Sequence, residues 1–351
     1  MFRILAPLLL ALSPGLAAAA DSIRVYNWND YIAPQVLADF TKATGIQVEY
    51  HTYASAEELN EILASGESID IAVPSQNDLP PLIKAGLVQP LDMSRLPNRK
   101  HLDKQLLSKL AAVDLQNRYA VPYLWGAVGL AINTPQAEAA YGGPLPQSWS
   151  LLFDAEQSAK LSTCGISVLD APDELLHSLL NYQGRNFSTS PPSRFYKAGE
   201  MLQTLRPNLR YVDSERYIDD LSQGNLCVAV AWVGDALSAS NAGQPVKFVI
   251  PEEGSTLFID NLVIPASARR ADLAHQFIDF LMQPQVAAQI SSETLYPSAN
   301  ADAHEFLEPA LRDQLGGDMN DAKSRLFSLL PLPEKLKTAR DEVWARFREG
   351  S

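Results

Sequence analysis

Three short stretches set an aromatic ring within three residues of a carboxylate: Trp28 and Asp30 in NWNDY, Trp232 and Asp235 in AWVGD, Phe258 and Asp260 in FIDN. Carboxylates beside flat rings suit organic cations, because the acid pairs with the charge and the ring face attracts it as well. AWVGD carries the strongest local signal: an apolar run from Cys227 to Trp232 delivers a ring and an acid into a Gly turn. Asp260 lies in so apolar a stretch that its charge needs a cationic partner. Each motif also has a plainer reading. Trp28 and Tyr31 suit a core, Trp232 suits a buried position beside a turn Asp, and Asp30 and Ser75 suit helix N-caps. Asp173 and Glu174, just after Pro172, suit the first turn of a helix, where the macrodipole favours acids. Carboxylate pairs can also serve glycoside hydrolysis, which is the enzymatic alternative.

The 351 residues carry a formal net charge of −13. That balance does not suit nucleic acid or anionic lipid, and it speeds the approach of cationic ligands. There is no P-loop, no G-x-G-x-x-G after a strand and no G-x-S-x-G elbow. The five histidines (51, 101, 177, 275 and 304) are dispersed. No cofactor, metal site or catalytic residue is expected.

The first twenty residues read as a signal peptide. Arg3 gives the positive start, Ile4 to Leu12 an apolar core too short to span a bilayer, and Ala17 to Ala20 a small-residue cleavage site before Asp21. Export to the periplasm with cleavage near Ala20 is expected, leaving a chain of charge −14 that inserts into no membrane. In that oxidising compartment the only cysteines, Cys164 and Cys227, are expected to bridge. Two buried thiols are the alternative, and the spacing matches no zinc pattern.

These residues must be positioned by a scaffold. Residues 23–85 alternate strand and helix signals: strands at 23–26, 46–53 and 69–73, and helices at 33–44, 55–63 and 77–85. That alternation predicts a parallel sheet with ligand loops at the carboxyl ends of its strands, here Asn27 to Tyr31 and Pro74 to Asp78. Residues 119–133 read as two strands around Trp125 and Gly126, and 248–265 as a similar stretch around Gly254. Both are expected to cross between two lobes, with the region between them forming the second. Helices are expected at 273–282, 284–290 and 322–347.

VYNWNDYIAP, residues 25–34, resembles the opening of mature periplasmic polyamine-binding proteins, where VYNWSDYIAP is typical. The likeness continues in order through TGIQVEYHTYASAEEL, IDIAVPS, LVQPLD, VPYLWGAVGL, CGISVLDAPDE, RPNLRYVDSERYIDDL, CVAVAWVGDA and FIDNLVIP. It is greatest to the putrescine-binding branch, which shares the cysteine pair. The resemblance implies an α/β, two-lobed periplasmic-binding-protein fold of type II, with the ligand cleft between lobes joined by crossover strands. Residues 21–128 with about 255–305 would form one lobe, and 129–254 with about 306–351 the other. It also implies a monomer that closes by hinge bending on a small cationic amine and delivers it to an inner-membrane ABC permease. A polyamine sensor presenting its ligand to a receptor keeps the same fold.

Carried over by motif, the ligand residues are Trp28, Asn29, Asp30, Tyr31, Ser75, Glu174, Ser214, Trp232, Asp235, Phe258, Asp260 and Tyr296. A diamine needs anions at its ends and flat walls along its methylenes. Asp235 and Asp260 would hold one ammonium, and Glu174 with Asp30 the other. Trp28, Trp232, Phe258 and Tyr296 would box the chain, with Trp125 a further wall near the hinge. The sequence departs from the family pattern at Asn29 (usually Ser), Ala54 (an acid), Asp78 (an aromatic) and Ile259 (a second Phe).

Overall fold

The computed structural model describes residues 21–349; the expected leader lies outside the described residues, as do the side chains of 316–323. Near the amino end, β1 (Ser22–Trp28) pairs in parallel with β2 (Gln47–Tyr53) and with β3 (Ile71–Ala72). The intervening helices Pro34–Thr44 and Ala56–Ala64 follow their sequence signals. The first starts with Pro and ends at left-handed Gly45; the second is capped by the Ser55 hydroxyl, which accepts from the Glu58 amide.

β4 (Ala120–Asn133) is one continuous strand, not the two expected, and every residue in it is buried. Its register slips between Pro122 and Leu124, where Pro122 has no N–H to give the ladder. The first half of β4 pairs antiparallel with β9 (Ser255–Val263). The second half pairs with β7 (Val228–Trp232) and β8 (Val246–Val249). β7 continues in parallel to β5 (Ile166–Val168), and β5 to β6 (Tyr211–Val212). β10 (Leu326–Ser328) runs parallel to β9.

Packing divides along β4. Side chains up to Ala127 join a hydrophobic cluster with β1 and β9, while Val128 onward join another built on β5, β7 and the helices between them. A smaller cluster around Tyr53, Leu59 and Leu79 supports the first body. The chain crosses three times: inside β4, between Val249 and Ser255, and between Leu326 and Leu329. Leu307, Leu315 and Leu326 pack with the first body, so the last crossing comes later than the expected 306. These are the two lobes.

Other expectations need correction. The helix at 77–85 shrinks to Leu79–Lys84 and the third strand to two residues. The expected terminal helix 322–347 is interrupted by β10 and begins only at Glu334, because Pro331 and Pro333 can join neither helix nor ladder. Cys164 and Cys227 are disulfide-bonded, Cα to Cα 5.5 Å, tying the segment before β5 to the start of β7. On the chain-entropy model a bridge of this span stabilises by about 4 kcal/mol.

Candidate functional site

Asp260 sits in the middle of β9 and is 5% exposed. Its carboxylate accepts hydrogen bonds from the Ser75 hydroxyl and, at 2.7 Å, from the Tyr31 hydroxyl. Burial pushes the carboxyl up to about 6, and the two hydroxyls pull it partly back. The Pro74–Asp78 loop is stitched to β9 by buried Gln76. Gln76 accepts from the Ile259 amide at 2.6 Å and donates to the Leu257 carbonyl at 3.1 Å. The loop that carries Tyr31 is held by buried Asn27, whose amide donates to the Tyr31 carbonyl, and by Tyr123, whose hydroxyl donates to that same carbonyl at 2.8 Å.

Asp235 comes from the other arm of the fold. It follows β7 in the first turn of the helix Val233–Asn241. The hydroxyls of Tyr217 and Tyr296 donate to its two oxygens, the latter at 3.2 Å. Burial again pushes the carboxyl up to about 6, against the two hydrogen bonds. Among the described residues, no basic side chain pairs with Asp235 or with Asp260. Burial and the Asp235 charge hold the Tyr296 hydroxyl well above its ordinary range, so it remains a neutral donor.

The rings close the gap between these acids. Tyr296 meets Tyr31 edge-on at 5.3 Å and Phe258 edge-on at 5.9 Å. Two glycines make the rings fit. A Cβ on Gly126 would strike the Phe258 ring, and one on Gly234 the Tyr296 ring. Leu295, in the left-handed region at φ 59°, turns the chain from the helix Pro284–Thr294 into Tyr296. Trp125 fastens this turn from behind: its indole donates to the Ser298 carbonyl at 3.2 Å and its amide to that of Pro297.

Thus Tyr31, Ser75, Asp235, Phe258, Asp260 and Tyr296 form one connected set. Trp232, half-buried, ends β7 three residues before Asp235. Trp28 packs on Tyr53 at 4.6 Å, and its indole nitrogen is buried without a hydrogen-bond partner among the described residues. Glu174 lies in the first turn of the helix Pro172–Tyr182 on the second body. Burial, then the neighbouring Asp173 charge, push its carboxyl up to about 7. Asp173 itself is paired with Arg340 at 2.8 Å. Asn29 and Asp30 are exposed, and Ser214 accepts from the Asp170 amide. No described contact joins these three to the carboxylates. Tyr217 was missed by sequence reasoning, and Asn27 and Gln76 fell within the expected ligand loops but were given no role. Tyr217 lay in plain view in DSERYIDD, but nothing local marks it as a donor to an acid 18 residues on.

In chemical terms the set joins carboxylates from two bodies with aromatic rings, a combination suited to an organic cation. The model of the family described as bacterial extracellular solute-binding proteins matches residues 35–313. A putrescine-binding periplasmic protein of Escherichia coli, PotF, is 38% identical, with 99% of this chain and 97% of the relative covered. A putrescine/agmatine-binding protein of Pseudomonas aeruginosa is 40% identical, covering 95% and 94%. Among solved structures, the substrate-binding protein PotD of a spermidine/putrescine ABC transporter from Streptococcus pneumoniae superposes with a TM-score of 0.83. It is 26% identical, with 94% of this chain and 99% of that chain covered.

Proposed function

This chain belongs to the bacterial extracellular solute-binding protein family, and we propose that it binds a small aliphatic diamine or polyamine in the periplasm and hands it to an inner-membrane ABC permease. One observation carries the reading. Two carboxylates, buried Asp260 and half-buried Asp235, each have two hydroxyl donors and no basic partner among the described residues. A buried charge without a counter-charge is strongly destabilising, and an ammonium between the two acids would relieve both. Tyr31, Phe258 and Tyr296 would then lie along the methylenes, with Trp28 and Trp232 as further walls. The far ammonium would reach Glu174, and the lobes would close around the ligand.

The hydroxyl bonds on both acids fit a binding role. They orient carboxylates to accept further N–H donors, and the scheme has no bond-breaking step. Relatives named as amine-binding proteins support the same ligand class. The test is a thermal-shift panel: 1,4-diaminobutane, 1,5-diaminopentane and spermidine should each raise the melting temperature. Glucose, acetate and glutamate should not. A shift with the sugar or the anions alone would sink the assignment.

A further inference from the structure

The helix Pro172–Tyr182, which carries Glu174 in its first turn, has no side-chain cap of its own, because Ala171 stands at the N-cap position. The turn that leads into it, Leu169 to Asp173, is held from outside by the last helix of the chain, Glu334–Glu349. That helix buries Leu336, Ala339, Val343 and Phe347 in the second body. It lies so close to the helix Pro192–Leu205 that a Cβ on Gly199 would strike Val343. Residues four apart share a helix face. Arg340, Trp344 and Arg348 form such a stripe, and all three reach the same turn. Arg340 donates to Asp173 at 2.8 Å, the Trp344 indole donates to one oxygen of Asp170 at 3.1 Å, and Arg348 pairs with the other. From the opposite side the Ser214 hydroxyl accepts from the Asp170 amide at 3.0 Å. The other edge of the Arg340 guanidinium is engaged by Asp341 at 2.8 Å. Arg340 therefore grips the residue next to Glu174, and Glu174 itself forms no ion pair among the described residues. One turn on, His177 and the Thr256 hydroxyl of β9 share a hydrogen bond at 2.7 Å, a second anchor that does not depend on the stripe.

Resting on the reading that Glu174 meets the far ammonium of the ligand, we propose that Arg340 is a positioning residue for ligand binding: with Trp344 and Arg348 it fixes the turn before the helix Pro172–Tyr182, so that Glu174 is presented to the ligand without being paired by the protein. Two features make Arg340 the centre of this device. Its pair with Asp173 is only 22% and 24% exposed, so water screens it less than the surface pairs of the same helix. Its planar guanidinium serves Asp173 and Asp341 on separate edges, which fixes its own direction, whereas a lysine would offer a single charge on a flexible stem. Trp344 and Arg348 complete the hold one and two turns further along. The chain thus uses its final helix, which follows the last crossing between the bodies, to set a loop at the carboxyl end of β5.

A double-mutant cycle tests it, with 1,4-diaminobutane titrated calorimetrically into the wild type, Arg340→Gln, Glu174→Gln and the double variant. Each single substitution should weaken binding by roughly tenfold, and Arg340→Gln should change Kd by less than about twofold once Glu174 is already Gln, because no carboxylate is left to place. Arg340→Lys should recover part of the loss, to within about threefold of the wild type. Trp344→Phe, which keeps the ring and removes the N–H, runs the same cycle with a loss of about threefold, and it stands in should Arg340→Gln fail to fold. Wild-type affinity in Arg340→Gln, or an equal loss from it in both backgrounds, overturns the assignment and leaves the amine reading intact. Wild-type affinity in Glu174→Gln removes Glu174 from the site and this role with it. A wild type that binds no diamine removes the parent reading as well.

Discussion

The proposed binding region has two groups of acids, one at each end, that are built differently. At one end Asp235 and Asp260 each hold two hydroxyl donors, so the carboxylates are oriented before any ligand arrives. At the other end Asp78 and Glu174 accept no side-chain hydrogen bond from a described residue. Burial raises the carboxyl at both ends, to about 6 at the first and about 7 at the second. The difference shows what hydroxyl donors do for a buried acid: they favour its ionised form and fix its direction, and leave the counter-charge to come from outside. The bare end has neither, so it should respond more to which cation occupies it and to pH.

The largest effect should come from breaking the hydroxyl-bonded end. Asp260→Asn removes the charge and gives Ser75 and Tyr31 a poorer acceptor. Diamine affinity should fall by about 3 kcal/mol, roughly a hundredfold in Kd. Titration calorimetry on a variant with a native-like melting profile checks it, and wild-type affinity would move the ammonium away from Asp260.

Acidification should separate the ends next. All four acids are raised, so at these sites the folded, ligand-free protein binds more protons than the unfolded chain between about pH 4 and pH 7, an effect that buried His177, lowered to about 4, partly offsets. Ligand-free stability should therefore increase as pH falls through that window. A cation needs these acids ionised, so diamine affinity should fall over the same range. The loss approaches about tenfold per pH unit for each proton taken up, beginning near 7 at the bare end and near 6 at the other. Followed from pH 8 to pH 5, the ligand-free melting temperature and Kd should both rise.

The smallest effect is expected for Tyr217→Phe, which removes one of the two donors on Asp235 and keeps the ring. Affinity at pH 7.5 should drop by about 1 kcal/mol, and the loss should grow as pH falls because Asp235 then protonates more readily. A pH-independent loss would indicate a packing role for Tyr217 instead.

How much of this could be read beforehand depends on the distance along the chain over which each feature is decided. The βαβ alternation of residues 22–72 and the loops at its strand ends are local patterns, and they were legible. So were the ring-and-acid patterns Trp232–Asp235 and Phe258–Asp260, the second of which lies within β9, and the cysteine pair. The continuity of β4 through Trp125 and Gly126 was not. Gly126 reads as a break, yet it serves to admit the Phe258 ring from a strand more than a hundred residues away. Tyr31 reads equally as core or wall until its hydroxyl is seen on Asp260, 229 residues on. Asp78 stands out in the sequence as an acid where the family pattern has an aromatic, but nothing local shows that it leaves the helix Leu79–Lys84 uncapped. Asn29 and Asp30 sit in one of the three ring-and-acid motifs and still come out exposed.

The most direct measurement compares two molecules of nearly the same shape. Calorimetric titration at pH 7.5 with 1,4-diaminobutane and with 1,4-butanediol keeps the methylene chain and changes only the charge at its ends. Paired buried acids predict micromolar or tighter binding of the diamine and no measurable heat from the diol. Comparable binding of the diol, or none of the diamine, would show that the carboxylates of this slot are not there to hold a cation.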